Sequence, residues 1–156
     1  MGADAAASKE VTIMAEFTYN PIQEVNPNQP VILNTTIGCN KGYVLHRNES
    51  GIVTLRGIVN NSCSAYARYQ VIANGNIAIP TGETVGPIAI AIAIDGEPVL
   101  TSTTISTPTV VNSYASVTSI ASVTVPRGCC FNVSIENVSD IPINIQNATV
   151  IVTRTA

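Results

Sequence analysis

Seven consecutive residues of the chain alternate isoleucine and alanine, from Ile88 to Ile94 within GPIAIAIAID. Successive side chains of a β-strand point to opposite faces, so this segment predicts a strand with an isoleucine face and an alanine face. We expect the isoleucine face to contact the hydrophobic core. The alanine face, made of Ala89, Ala91 and Ala93, also lacks polar atoms, so something must cover it.

The sequence allows two ways of burying the alanine face. The strand can be central and buried on both sides within one domain, or its alanine face can meet another subunit. Charged residues make up only 11% of the chain, against about 25% in typical soluble domains. A surface so poor in charge favours contact between copies, which predicts Ala89, Ala91 and Ala93 as part of a subunit interface.

The rest of the chain is a series of short β-rich runs separated by turn residues, and no helical periodicity of useful length appears after the first fifteen residues. Asn74-Gly75 and Asp95-Gly96 predict two-residue hairpins, because both dipeptides tolerate positive φ. The pattern predicts an all-β chain, an antiparallel β-sandwich of about ten strands, with a jelly roll favoured. The predicted strands lie near residues 15–19, 30–37, 43–47, 52–59, 66–73, 76–80, 86–94, 97–106, 114–125, 129–138 and 143–154.

Length and charge limit the function. A chain of 156 residues fits one domain, which we expect over 15–156, preceded by a flexible N-terminal arm over 1–14. The net charge is −3 and the cationic residues are scattered singly, so we expect no nucleic-acid binding. Mean hydropathy is +0.31, yet no apolar run approaches the ~20 residues of a spanning helix, so we expect no membrane insertion.

Signals of catalysis are poor. The single histidine, His46, lies next to Arg47, and no nucleophile-elbow or phosphate-binding glycine pattern occurs. The carboxylates lie mostly in predicted loops, where nothing selects a catalytic pair. We therefore expect a protein that is not an enzyme, with no cofactor and no metal site.

The four cysteines leave alternatives open. Cys39, Cys63, Cys129 and Cys130 form an even set, which allows three pairings into disulfides. They can equally be free, half-buried thiols that pack as small hydrophobic groups. Zinc is disfavoured, because there is no C-x-x-C spacing and adjacent cysteines chelate one ion poorly.

From about residue 50 the order of motifs resembles a known family. GIVTLRG (51–57), GPIAIAIAIDGEPVLTST, SVTVPRGCCFNVSIENVS and the closing INIQNATVIVTRT (143–155) carry the likeness. This order is similar to the trimeric jelly roll of complement globular heads and tumour necrosis factor-like proteins. Asp95-Gly96 matches the mid-chain hairpin of that family. The resemblance implies a homotrimer.

More narrowly, the chain from roughly 15 to 155 resembles small structural proteins of tailed phages and prophages of gut Firmicutes. EFTYNPIQEVNPNQPVILNT, HRNESGIVTLRG and PTGETVGPIAIAIAIDGEPV carry that likeness. It implies a homotrimeric virion component, such as a head fibre, a capsid decoration protein or a display knob. The implied partners are further copies of the chain and a capsid or other virion protein.

Two alternatives stay open beside this interpretation. The domain can be a recognition module that binds a host surface receptor or a glycan through its loops. It can also be an extracellular or cell-surface trimer of a bacterium or spore with the same fold, rather than a component of a virion.

Overall fold

The computed structural model describes residues 14–37, 43–47, 49–58, 63 and 65–155. These residues form β-strands, loops and one short 3₁₀ turn, and no helix among them is long and apolar enough to cross a membrane. The predicted flexible arm over 1–14 lies outside the described residues except for Met14, which begins the first strand.

Twelve strands follow one another in the described part of the chain, with the 3₁₀ turn Leu100–Ser102 between the eighth and ninth. They are β1 (Met14–Tyr19), β2 (Gln23–Val25), β3 (Thr35–Ile37), β4 (Val44–His46), β5 (Val53–Arg56), β6 (Tyr66–Ala78), β7 (Ile88–Ile94), β8 (Glu97–Pro98), β9 (Thr104–Ser106), β10 (Ala115–Pro126), β11 (Cys130–Asn137) and β12 (Ile143–Arg154).

The strands form two antiparallel sheets that pack as a sandwich. The first sheet has the order β10-β6-β12-β1-β3, with β2 beside β12. The second has the order β4-β5-β11-β7-β8, with β9 also beside β7. All strand pairs are antiparallel. The prediction of an all-β antiparallel sandwich is therefore confirmed.

The strand of alternating isoleucine and alanine is β7, a central strand of the second sheet. Ile88, Ile90 and Ile92 are fully buried in the core between the sheets, as the alternation predicts. Ala91 and Ala93 point away from that core, yet they too are buried.

The hairpin predicted at Asp95-Gly96 is confirmed. Both residues have positive φ, 51° for Asp95 and 83° for Gly96, as a type I′ turn requires. The turn is also tied to the neighbouring strand β11. The Asp95 amide donates to the Asn132 carbonyl (2.7 Å), and the Asn132 amide donates to Asp95 Oδ1 (2.9 Å).

The hairpin predicted at Asn74-Gly75 is wrong, because both residues lie inside the continuous strand β6. Glycine is needed here for close packing instead of a turn: a Cβ on Gly75 would lie 2.7 Å from Ile145 Cδ1. Opposite this point β12 carries a bulge between Gln146 and Thr149. Asn74 meanwhile uses its amide to bind β10, donating to the Val117 carbonyl.

Two predicted strands are each divided in the structure. The segment 97–106 forms β8, the 3₁₀ turn and β9. The Val99 amide still donates to the Ile92 carbonyl (2.8 Å), but the Val99 carbonyl accepts from Ser102 of the 3₁₀ turn and not from β7. The Ser102 hydroxyl fills the gap by accepting from the Ile92 amide (2.9 Å). The segment 30–37 crosses between sheets: Pro30 bridges to β11, whereas β3 pairs with β1.

Gly57, the residue after β5, lies very close to the backbone of Pro126 at the end of β10. A Cβ on Gly57 would come within 2.2 Å of the Pro126 carbonyl oxygen, which is backbone and cannot rotate away. We expect Gly57→Ala to lower the free energy of unfolding by about 1–3 kcal/mol. The measurement is urea denaturation at fixed protein concentration.

Gly86→Ala is the matched control, since nothing lies within 4 Å of a Cβ built there. It should change the free energy of unfolding by less than about 0.5 kcal/mol. Equal stability of the two variants would contradict the close approach at Gly57.

Candidate functional site

The predicted subunit-interface residues lie on the outer face of the second sheet. Ala91 and Ala93 are 0% exposed in a single chain, and Ala89 is partly buried. Their register neighbours on β11 are Glu136 beside Ala91 and Ser134 beside Ala93. One chain thus already covers two of the three methyl groups, and only Ala89 keeps exposed area. The alanine-face interface stays a prediction.

The cysteines are only partly described. Cys63, Cys129 and Cys130 are free and exposed, and Cys39 lies outside the described residues. Cys129 and Cys130 follow the turn that joins β10 to β11. A disulfide involving Cys39 stays a prediction.

His46 lies in a packing environment. Its ring centroid lies 4.9 Å from that of Phe17, a fully buried core residue. Its Nε2 lies 2.8 Å from the Ser50 carbonyl oxygen. Across the described residues there is no group of three or more His, Cys, Asp or Glu side chains able to hold a metal ion.

The outer face of the first sheet carries a row of four isoleucines and one glutamate that crosses five strands. Ile120 on β10 pairs with Ile72 on β6, which pairs with Ile151 on β12. The row then continues through Glu16 on β1 to Ile37 on β3. Ile120 is 55% exposed and Ile37 is 50% exposed. We call these five residues the isoleucine row.

The residues on either side of the isoleucine row are uncharged. One flanking row contains Thr118, Asn74, Thr149, Thr18 and Thr35, and the other contains Ser122, Gln70, Thr153 and Met14. Glu16 is therefore the one charged residue in these three rows. Exposed isoleucines flanked by uncharged residues are typical of a surface that meets protein.

A second apolar surface lies where the sandwich closes beside β10. There Thr104 of β9 donates from Oγ1 to the Thr118 carbonyl of β10 (2.8 Å), which joins the edges of the two sheets. Leu100, 81% exposed, and Ile105, 65% exposed, project near this junction. We call Leu100 and Ile105 the apolar edge.

A groove runs over β11 on the outer face of the second sheet. It has a volume of 430 Å³, and its lining includes Asn28, Pro30, Ile52, Asp95, Ser134 and Glu136. A neighbouring hollow of 530 Å³ shares Ile52 and Asn132 with it and extends towards Leu45 and Arg47. We call the first of these the β11 groove.

Glu136 is the unusual residue of the β11 groove. Its side chain is only 6% exposed, and its register neighbours are Ala91 on β7 and Pro30. Neither neighbour has a side-chain hydrogen-bond donor. Burial raises the pKa of this carboxyl above its ordinary value, and the negative charge of Glu97 raises the pKa further.

Sequence reasoning missed both the isoleucine row and Glu136. Ile120 interrupts an outward series of serine and threonine in β10, and this break in the alternation was a usable signal. Nothing in the sequence around Glu136 indicated burial, because its cover comes from residues distant in the chain.

Comparison with solved structures identifies the fold. The chain is similar to the Eiger TNF of S. frugiperda, with 12% identity, a TM-score of 0.66 and 93% of both chains covered. It is also similar to the globular domain of zebrafish complement 1qA, with 12% identity, a TM-score of 0.56, and 91% of this chain and 94% of that one covered.

Murine APRIL is a third similar structure, with 10% identity, a TM-score of 0.57, and 92% of this chain and all of that one covered. No protein-family model matches the sequence, and no similar sequence is found among curated proteins. The chain therefore has the jelly-roll fold of tumour necrosis factor and complement globular domains, and the resemblance seen in the sequence is confirmed at the level of fold.

Burial of Glu136 predicts a pH-dependent contribution to stability. The folded state holds its proton to higher pH than the unfolded state, whose carboxyl has an ordinary pKa of about 4.5. The contribution is fully present below that value and is lost as pH rises through the folded pKa. We expect Glu136→Gln to be more stable than the wild type at pH 7, with a smaller difference near pH 4.

Urea denaturation of both proteins across this pH range measures the effect. Glu24→Gln is the control, because Glu24 is an exposed glutamate on β2. A pH-independent difference between wild type and Glu136→Gln would contradict the burial of an ionisable carboxyl at this position.

Proposed function

We propose that the chain is a non-enzymatic structural module that assembles into a homotrimer and serves as a component of a phage particle. The observation that carries the assembly is the isoleucine row, in which Ile120 and Ile37 are at least half exposed; Glu16 is the one charged residue in this row and its two flanking rows. Burying an exposed isoleucine side chain fully contributes about 1.5–3 kcal/mol. Contact between copies that buries these isoleucine side chains would therefore stabilise the assembly.

The two apolar surfaces support a head-to-tail arrangement. The isoleucine row lies on the face of the first sheet, whereas the apolar edge lies where the two sheets meet. When two different surfaces of one protein bind each other, each copy offers one surface to each neighbour. Such contacts form rings if the rotation closes, and the family resemblance implies closure at three copies.

The proposal that the chain belongs to a phage particle rests on its sequence. The likeness to structural proteins of tailed phages covers residues from roughly 15 to 155, and catalytic patterns are absent from the sequence. We therefore propose a head fibre, capsid decoration protein or display knob, located in the virion and bound to a capsid or other virion protein.

Charge insertion on either surface tests the assembly. Ile120→Glu places a charge in the isoleucine row, and Leu100→Glu places a charge on the apolar edge. Each variant alone should therefore be a monomer by light scattering after gel filtration. Both side chains are more than half exposed in one chain, so the fold should survive, as circular dichroism will check. Leu45→Glu makes the same kind of change on the opposite sheet, and this control should leave the mass unchanged.

Mixing the two monomeric variants tests the head-to-tail geometry. The intact edge of Ile120→Glu can bind the intact face of Leu100→Glu, so the mixture should form a one-to-one dimer and no larger ring. A mixture that stays monomeric, or single variants that keep the wild-type mass, would overturn this arrangement.

Comparison of Ala89→Glu with Ile120→Glu separates the two predicted interfaces, because Ala89 is the cross-strand partner of Ile105 on the apolar edge. If the isoleucine row forms the contact, Ile120→Glu becomes monomeric. Retention of the wild-type mass by Ile120→Glu, together with loss of it in Ala89→Glu, would assign the contact to the alanine face. In that case Ala89→Glu becomes monomeric while its β-sheet circular dichroism is retained.

The particle assignment has its own test. Particles purified after prophage induction of the strain that carries the gene should contain the protein at a fixed ratio to the major capsid protein, measured by quantitative mass spectrometry. Presence of the protein only in the unassembled fraction would contradict a virion role, whatever its oligomeric state.

A further inference from the structure

The carboxylate of Glu136 lines the β11 groove and has no partner among the described residues. The structure gives this carboxylate no hydrogen bond and no ion pair in the described part of the chain, although the residue as a whole is only 6% exposed. Burial of an ionisable group carries a desolvation penalty, and without a partner no hydrogen bond or ion pair offsets it. A binding role for Glu136 would explain why the native structure keeps such a group.

The charged residues that line the β11 groove in the described part of the chain are acidic. Asp95 also lines it, and Glu97 lies close enough to affect Glu136 electrostatically. The described lining of this groove contains no lysine, arginine or histidine. A positively charged group entering the groove would meet complementary charge at its base.

The walls of the β11 groove are apolar on one side. Pro30 and Ile52 line it, and Ile52 is an exposed isoleucine. Long cationic side chains bury their methylene stems along apolar surface while the charged head seeks a polar partner. Pro30 and Ile52 therefore fit a methylene stem, and Glu136 fits the head.

We propose that the β11 groove binds an organic cation, with an ammonium or guanidinium head on the Glu136 carboxylate and an alkyl stem against Pro30 and Ile52. This chemistry occurs on a lysine or arginine side chain of a protein and on a free polyamine. A metal ion fits less well, because the described residues offer no cluster of three ligating side chains here. The site is independent of the isoleucine row, which lies on the other sheet.

Titration of isotope-labelled full-length protein with butylammonium and with butylguanidinium tests the site by NMR. We expect saturable shifts of the Ser134 and Glu136 amide signals and of the Ile52 methyl signal. Butanol, a neutral molecule of similar size, should bind with at most a tenth of the affinity of the two alkyl cations. Equal binding of butanol would overturn the proposal, because it would make the groove merely apolar.

Glu136→Gln and Glu24→Gln separate the carboxylate from general surface charge. Glu136→Gln should weaken binding of the alkyl cations at least tenfold, whereas Glu24→Gln should bind like the wild type. Equal losses in both variants, or tighter binding of Ca²⁺ than of the alkyl cations by the wild type, would overturn the proposal.

A lysine-containing tripeptide with blocked ends and spermidine distinguish the two sources of the cation. Tighter binding of the peptide supports a protein side chain as the occupant, and tighter binding of spermidine supports a free polyamine. Binding of neither probe would overturn the proposal.

Discussion

The strand register of the first sheet is the constraint on which the rest of the molecule depends. β6 and β10 pair over every residue from Ala115 to Pro126, and β12 pairs with the other edge of β6. Because side chains alternate between faces, a slip of one residue would exchange the buried and exposed sets. The register places Val117, Val123 and Val125 in the core and leaves the isoleucine row on the outside.

The second sheet depends on β11 in a comparable way. Asn137, at its end, is fully buried and donates from Nδ2 to the carbonyls of Val25 (2.9 Å) and Ile141 (3.0 Å). The Val31 amide donates to the Ile135 carbonyl (2.8 Å), and this bond attaches the segment before β3 to the same strand. This attachment brings Pro30 beside Glu136, so the bonds that complete the sheet also build the wall of the β11 groove.

The sequence could predict the features that depend on local chemistry. The isoleucine face of β7 follows from side-chain alternation, and the Asp95-Gly96 hairpin follows from the backbone preferences of two residues. Asn74-Gly75 has the same local signal, yet its glycine serves the close approach of Ile145 from β12. Local reasoning could not distinguish these two glycines, because the second one depends on a partner about seventy residues away.

The same limit applies to the candidate sites. The alanine face was singled out for its lack of polar atoms, but the cover of Ala91 and Ala93 is set by neighbouring strands. The isoleucine row exists only through the pairing of β10, β6, β12, β1 and β3, so no one strand contains it. Glu136 becomes buried through Pro30, which lies more than a hundred residues earlier in the chain.

The mass of the wild-type protein in solution tests the central claim most directly. We predict three times the chain mass of 16.3 kDa by light scattering, unchanged on dilution to low micromolar concentration and on addition of reductant. A monomer under the same conditions would contradict the account, because the isoleucine row and the apolar edge would then face water in the functional state.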